Sequence, residues 1–236
     1  MGFISSLVIL FSSALSTAAI GAMVPLAIDQ AYVPTQFDSN DRTTFMVTSS
    51  SKNSCHFQPK TTTEVNRQKN QILVGFFVNE GEGSCLETKQ KFKQLVEVGK
   101  LAEGEYQIFD GSNLKPIGSL NVSKKNHARP GPDAYPYAPV KEVNVVLDKT
   151  KNRWALSLSG EFEKECDGLK EVRISTEGKN VIEVVPISFS PHHLKCKENK
   201  TPFIKTEFIE ELKRGDYLVH VRLPEGRSLN RMIHVQ

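Results

Sequence analysis

The chain has 236 residues, 39% of them hydrophobic and 24% charged, which excludes wholesale disorder and suits one or two packed domains. Its net charge is +3, and lysines and acids are interspersed with no run of five like charges. A nucleic-acid groove is therefore not expected, and a mixed, solvated surface is.

Residues 2–28, GFISSLVILFSSALSTAAIGAMVPLAI, carry no charge. Leu7 to Leu15 has the length of a signal-peptide h-region, and Ala18 and Ala22 offer cleavage points, although the usual Lys or Arg near the start is absent. The expectation is a hydrophobic N-terminal helix, acting as a signal peptide over 1–22 or as a membrane anchor reaching about residue 28. Either places the remaining chain outside the cytoplasm, secreted or in a periplasm or cell envelope. Membrane contact is expected only through this segment, if it is uncleaved.

Beyond it, apolar residues alternate with period two. TTFMVTS (43–49), ILVGFFV (72–78), KFKQLVEV (91–98) and YQIFD (106–110) read as strands. The Pro-rich segment 123–141 follows, with Pro130, Pro132, Pro136 and Pro139, and reads as an extended, stiff linker. A second series then runs through VNVVLD (143–148), RWALSLS (153–159), EVRIST (171–176), VIEVVPISF (181–189), FIKTEFI (203–209), YLVHV (217–221) and LNRMIHV (229–235). Trp154 shares a side with Leu156 and Leu158 and reads as core. Pro186 and Gly75 suit a central strand poorly, so their strand reads as an edge or bulged one. About seven short strands per ~95 residues point to an antiparallel β-sandwich.

The series are related by one offset. Cys55 and Cys85 are 30 residues apart, as are Cys166 and Cys196, and the pairs differ by 111 positions. The same offset joins Leu101 to Leu212, Gly104 to Gly215 and Tyr106 to Tyr217. Two units of this length read as a tandem pair of domains, 31–122 and 142–236. An even cysteine count with no C-x-x-C, behind an export signal, indicates two disulfides rather than a zinc or thioredoxin-type site.

Leu101-x-x-Gly104-x-Tyr106 and Leu212-x-x-Gly215-x-Tyr217 resemble the tyrosine corner of immunoglobulin-like sandwiches. The resemblance implies two tandem immunoglobulin-like domains of the kind found in exported and envelope proteins. It also explains Arg214-Gly215-Asp216, an RGD tripeptide: Gly215 serves the corner, and Arg214 and Asp216 fill its solvent-facing gaps as Glu103 and Glu105 do in the first unit. The antibody-type disulfide is absent, because Ile108 and Val219 stand two residues after the tyrosines. Following strand direction through such a sandwich brings Cys55 to Cys85, and Cys166 to Cys196, at one end of each unit.

No nucleophile elbow, H-E-x-x-H, P-loop or kinase signature is present, and Cys85, next to Ser84, has a partner in Cys55. Neither an enzyme nor a cofactor is expected. The expected function is that of a non-catalytic binding or structural module whose partner is a protein or a glycan. The loops beside the disulfides differ most between units, NEGEGS (79–84) against SPHHLK (190–195), and make Glu80, Glu82, His192 and His193 the candidate binding residues. The alternative is a copper- or zinc-handling protein using His192 and His193, with His56 or His127 as a further ligand. His220 and His234 should face solvent or a neighbouring sheet. Asn121 and Asn199 begin N-x-S/T triplets, candidate glycan acceptors in a eukaryotic secretory protein.

Overall fold

The computed structural model describes residues 22–124, 137–176, 180–191, 196–209 and 212–236. Among them the chain forms sixteen strands and one short 3-10 turn, Pro224–Gly226. The protein is all-β, as its alternating sequence requires.

The first half runs β1 (Met23–Pro25), β2 (Ile28–Tyr32), β3 (Gln36–Asp38), β4 (Arg42–Asn53), β5 (His56–Asn66), β6 (Gln71–Glu80), β7 (Glu87–Lys100), β8 (Gly104–Asp110) and β9 (Pro116–Ser123). One sheet has the order β2-β4-β7. The other has β6-β8-β9-β3, with β5 on the far edge of β6 and β1 beside the C-terminal part of β6. The second half runs β10 (Val140–Asp148), β11 (Arg153–Lys164), β12 (Gly168–Ser175), β13 (Val181–Phe189), β14 (Glu198–Ile209), β15 (Gly215–Arg222) and β16 (Ser228–Val235). Its sheets are β10-β11-β14 and β12-β13-β15-β16. Apart from β1 and β3, which have no counterpart strand, the pairing orders of the halves correspond: β2-β4-β7 to β10-β11-β14 and β5-β6-β8-β9 to β12-β13-β15-β16.

Hairpins form where the local chemistry supplies a turn. Asn66 Oδ1 accepts the amides of Gln68 and Lys69, and Asn70 takes a positive φ of 50°, closing β5 onto β6. Asp148 Oδ1 accepts the amides of Thr150 and Lys151, and Asn152 has φ 49°, closing β10 onto β11.

The two sheets of each half enclose a core. Phe45, Val47 and Val96 of one sheet meet Ile72, Val74, Phe76, Tyr106 and Ile108 of the other. Leu156, Leu158 and Val143 meet Ile182, Val184, Val219 and Val221. A third, smaller cluster joins the halves: Tyr32 and Met46, on the outer face of β2-β4, pack against Val181, Leu218 and Met232. The molecule is thus four sheets deep, and β4 and β15 bury both faces along most of their length.

Several expectations are corrected. A hydrophobic helix or anchor reaching residue 28 is excluded, because Met23–Pro25 pairs with β6 and Ile28–Tyr32 pairs with β4. Among the described residues no helix is long and apolar enough to cross a membrane; the proposed signal segment otherwise lies outside them. The sandwiches are not antiparallel throughout: β3 runs parallel to β9, β6 to β8 and β13 to β15. The strand of Pro186 is not an edge, although the register with its partner β12 shifts beside it, between Leu169 and Glu171. Pro186 faces Val172 on one side, and on the other its carbonyl accepts the Ala138 amide at 2.8 Å. Residues 137–141, assigned to the linker, belong to the second half: Tyr137 bridges to Ile187 and β10 starts at Val140. Most of the rest of that segment lies outside the described residues.

Candidate functional site

Tyr106 is buried and its hydroxyl donates to the Ala102 carbonyl at 3.2 Å, with Leu101 buried beside it. Gly104 and Gly215 share φ +151°, a backbone region that side chains rarely enter. Tyr217 is likewise buried, over a half-buried Leu212.

Both disulfides are formed, Cys55–Cys85 with Cα atoms 5.5 Å apart and Cys166–Cys196 at 5.7 Å. Two bridges in an all-β chain fit an oxidising, extracytoplasmic compartment. A polar cluster missed in the sequence supports the first bridge. Asn53 holds it together: its Oδ1 accepts the Cys55 amide at 2.9 Å, and its Nδ2 donates to Glu80 Oε1 at 2.8 Å. His56 is buried between Ser51 Oγ, at 2.5 Å from Nδ1, and Glu80 Oε1, at 3.5 Å from Nε2. Ser51 Oγ also accepts the Asn53 amide at 3.0 Å, so this hydroxyl pins the loop.

Glu80 is therefore committed to the scaffold, whereas Glu82 is exposed. Across the loop the Gly81 amide bonds the Cys55 carbonyl, and Ser54 and Leu86 exchange bonds through the Ser54 amide and hydroxyl. The loop backbone is pinned on both sides while Glu82 and Leu86, the latter 72% exposed, project outward. His192 and His193, and His127, lie outside the described residues. His56 does not serve the metal reading, because both its ring nitrogens face local partners. Among the described residues no three His, Cys, Asp or Glu side chains gather as a metal site. Asn121 and Asn199 sit on β9 and β14 with exposed side chains.

The second concentration of polar groups lies where the halves meet. A cleft of about 390 Å³ is lined by Thr35, Asp38, Tyr137, Arg173, Glu183 and Arg222, among others. Glu183 Oε1 accepts both the amide and hydroxyl of Thr35, at 2.7 and 2.8 Å. Arg222, from β15, reaches Asp41 at 3.7 Å and Tyr137 Oη at 3.3 Å. Each carboxylate holds backbone: Asp38 Oδ1 takes the Asn40 amide and Asp41 Oδ2 the Asp38 amide. Behind them His220 is 2% exposed, edge-on to Phe37 with centroids 5.6 Å apart, its Nδ1 2.7 Å from Asn230 Oδ1. Asn230 Nδ2 continues to Thr44 Oγ1 at 3.0 Å. Burial pushes the His220 pKa down to about 4, against the raising effect of Asn230, so near neutrality the ring is uncharged. Gly226 completes the fit: its φ is +68°, and a Cβ there would stand 2.2 Å from the Asn40 carbonyl oxygen.

Asp216 of the RGD tripeptide is not a solvent-facing filler. Its Oδ2 accepts from Lys91 Nζ of the first half at 2.7 Å, and its Oδ1 lies 2.7 Å from His234 Nδ1. These hydrogen bonds, Lys91 first and His234 second, hold its pKa down to about 2. An adhesion receptor reading RGD would have to displace both partners. Compared with known protein families, with curated proteins and with solved structures, the chain matches none.

Proposed function

We propose that the chain is an exported, non-catalytic binding or structural module of two immunoglobulin-like units, acting at a cell envelope, surface or extracellular site. The observation that carries this reading is the pair of disulfides, each closed within its own half of an all-β chain. The tyrosine corner at Tyr106 supports the immunoglobulin-like assignment, and the pairing order shared by the main strands of the halves supports two related units. Recognition is assigned to the loop closed by Cys55–Cys85, where a rigid backbone presents a free carboxylate, Glu82, beside an exposed apolar side chain, Leu86. The partner is a protein or a glycan.

Cell fractionation with N-terminal sequencing and thiol mapping tests this. The expected result is a chain outside the cytoplasm, lacking its first residues, with all four cysteines blocked. Replacing the two exposed residues together, Glu82→Lys with Leu86→Ser, should then abolish capture of its partner without lowering the melting temperature much. A full-length, reduced chain in the cytoplasm would refute the assignment.

A further inference from the structure

The two halves treat their corresponding edge strands differently. β7 and β14 each end a three-stranded sheet. Which residues of β14 face its open edge follows from the ladder. The Glu161 amide turns away from β14 to the Pro139 carbonyl, and Glu161 lies opposite Pro202. The Val143 carbonyl, two strands over, turns away from β11 to accept from Arg231 Nη1, which fixes the same alternation independently. Pro202, Ile204, Thr206 and Phe208 therefore point their backbone groups outward, proline lacking the N–H.

The counterparts 111 positions earlier are Lys91, Lys93, Leu95 and Glu97. That edge is charged, and it is also covered, because Thr61 Oγ1 of β5 donates to the Leu95 carbonyl at 3.3 Å. The second half has neither protection. Ile204 replaces Lys93 and, at 79%, is the most exposed large apolar side chain among the described residues. Thr61 lies opposite Phe76; the residue opposite Ile187, its counterpart, is Glu171, an acceptor already bonded by Arg173. Among the described residues β14 pairs with β11 alone. An open edge whose outward-bonding residues from Pro202 to Phe208 carry no charge is a template for another strand.

The order of residues selects the strand it fits. In antiparallel pairing with an identical strand, edge-facing residues must meet edge-facing residues, so a two-fold axis passes through one residue. An axis at Lys205 opposes two lysines and an axis at Glu207 opposes two glutamates. Axes at Phe203 or Ile204 set an edge-facing residue against Pro202, which has no N–H to give. Of the axes from Phe203 to Glu207, that at Thr206 alone avoids these faults, and axes nearer the strand end pair fewer residues: it opposes Lys205 to Glu207 and Ile204 to Phe208, twice each, and employs the amides of Ile204, Thr206 and Phe208 from both copies. Lys205 and Glu207 are already 3.0 Å apart within one chain, so the four charges would form an alternating square. Phe208, under Lys151 Nζ at 4.4 Å, extends the row Val146–Ala155–Phe208 toward the Ile204 of the second copy.

We propose that β14 is a self-complementary edge through which two copies of this chain join, forming a continuous six-stranded antiparallel sheet with its two-fold axis at Thr206. Analytical ultracentrifugation of the disulfide-intact chain, freed of its N-terminal segment, tests it. Wild type should dimerise reversibly. Lys205→Glu or Glu207→Lys alone should each raise the dimer dissociation constant at least about tenfold, and the double exchange should restore it to within about threefold. Ile204→Lys, which installs the first half's residue at a solvent-exposed position, should also give monomers, with unchanged circular dichroism. A wild type that stays monomeric at about 100 µM overturns the proposal. So does a dimer indifferent to the single charge reversals, or a double exchange that fails to restore it.

Discussion

His220 shows how one side chain depends on a surface some 180 residues away in sequence. Within β15 it is one of five consecutive buried residues, and its environment is built from Phe37 and, through Asn230, Thr44 of the other half. Its pKa of about 4 lies below the ordinary 6.5, so the unfolded chain binds the proton more readily than the folded one. The stability this group contributes is fully present above pH 6.5 and is lost as pH falls toward 4, a loss of about 3 kcal/mol spread over that window. Urea midpoints measured across pH 4 to 7 should show the decline, and His220→Gln should flatten it. Asp216 works at lower pH. Its depressed pKa, about 2 against 3.8, makes its contribution present above pH 3.8 and lost as pH falls through 2, separating the two signals.

At the scale of elements, the tyrosine corner is the most local feature and the easiest to read. Tyr106→Phe removes one hydroxyl from a buried bond to Ala102 and should cost about 1 kcal/mol, read as a lower denaturant midpoint with an unchanged slope. The corner was legible because its cause lies within a few residues, in the Leu-x-x-Gly-x-Tyr spacing and a glycine at positive φ, whereas the disulfides were legible through the repeat of their spacing. The parallel pairing of β6 with β8 was not legible. Nothing in Gln71–Val74 or Gln107–Asp110 records which strand lies alongside, since the alternation of inward and outward residues is the same for either direction. The loop residue Glu80 was half legible. Its position beside the disulfide was foreseen, but its capture by Asn53 was not, because that bond spans 27 residues and both partners are ordinary loop types.

For the molecule as a whole, the sequence suggested two units on a stiff tether, and the structure instead packs the halves on one another. The signal was present in YLVHV, where Leu218, Val219 and Val221 put apolar side chains on both faces and His220 is the one polar residue, as expected of a strand covered on both sides. The same packing explains why Asp216 was misjudged as surface filler: Lys91, which engages it, is 125 residues distant. Leu218 is fully buried at the junction with Tyr32 and Val181. Leu218→Asp should therefore uncouple the halves while leaving each core intact. The expected readout is one thermal transition in the wild type becoming two, with a larger radius of gyration in small-angle scattering. A single, merely lowered transition would show that the halves depend on each other to fold.

The junction also joins unlike faces, the outer side of β2-β4 in the first half to the outer side of β13-β15-β16 in the second. A head-to-tail joint of this kind has no built-in stopping point, and further units would stack indefinitely if the free ends carried the same residues. They do not. At the 111-residue offset, Val181, Leu218 and Met232 correspond to Asn70, Gln107 and Asn121, and Met46 corresponds to Ser157, while Asn144, opposite Ser157, stands where Tyr32 does. The positions that make this joint are therefore polar on both outer faces, so the same contact is not repeated there.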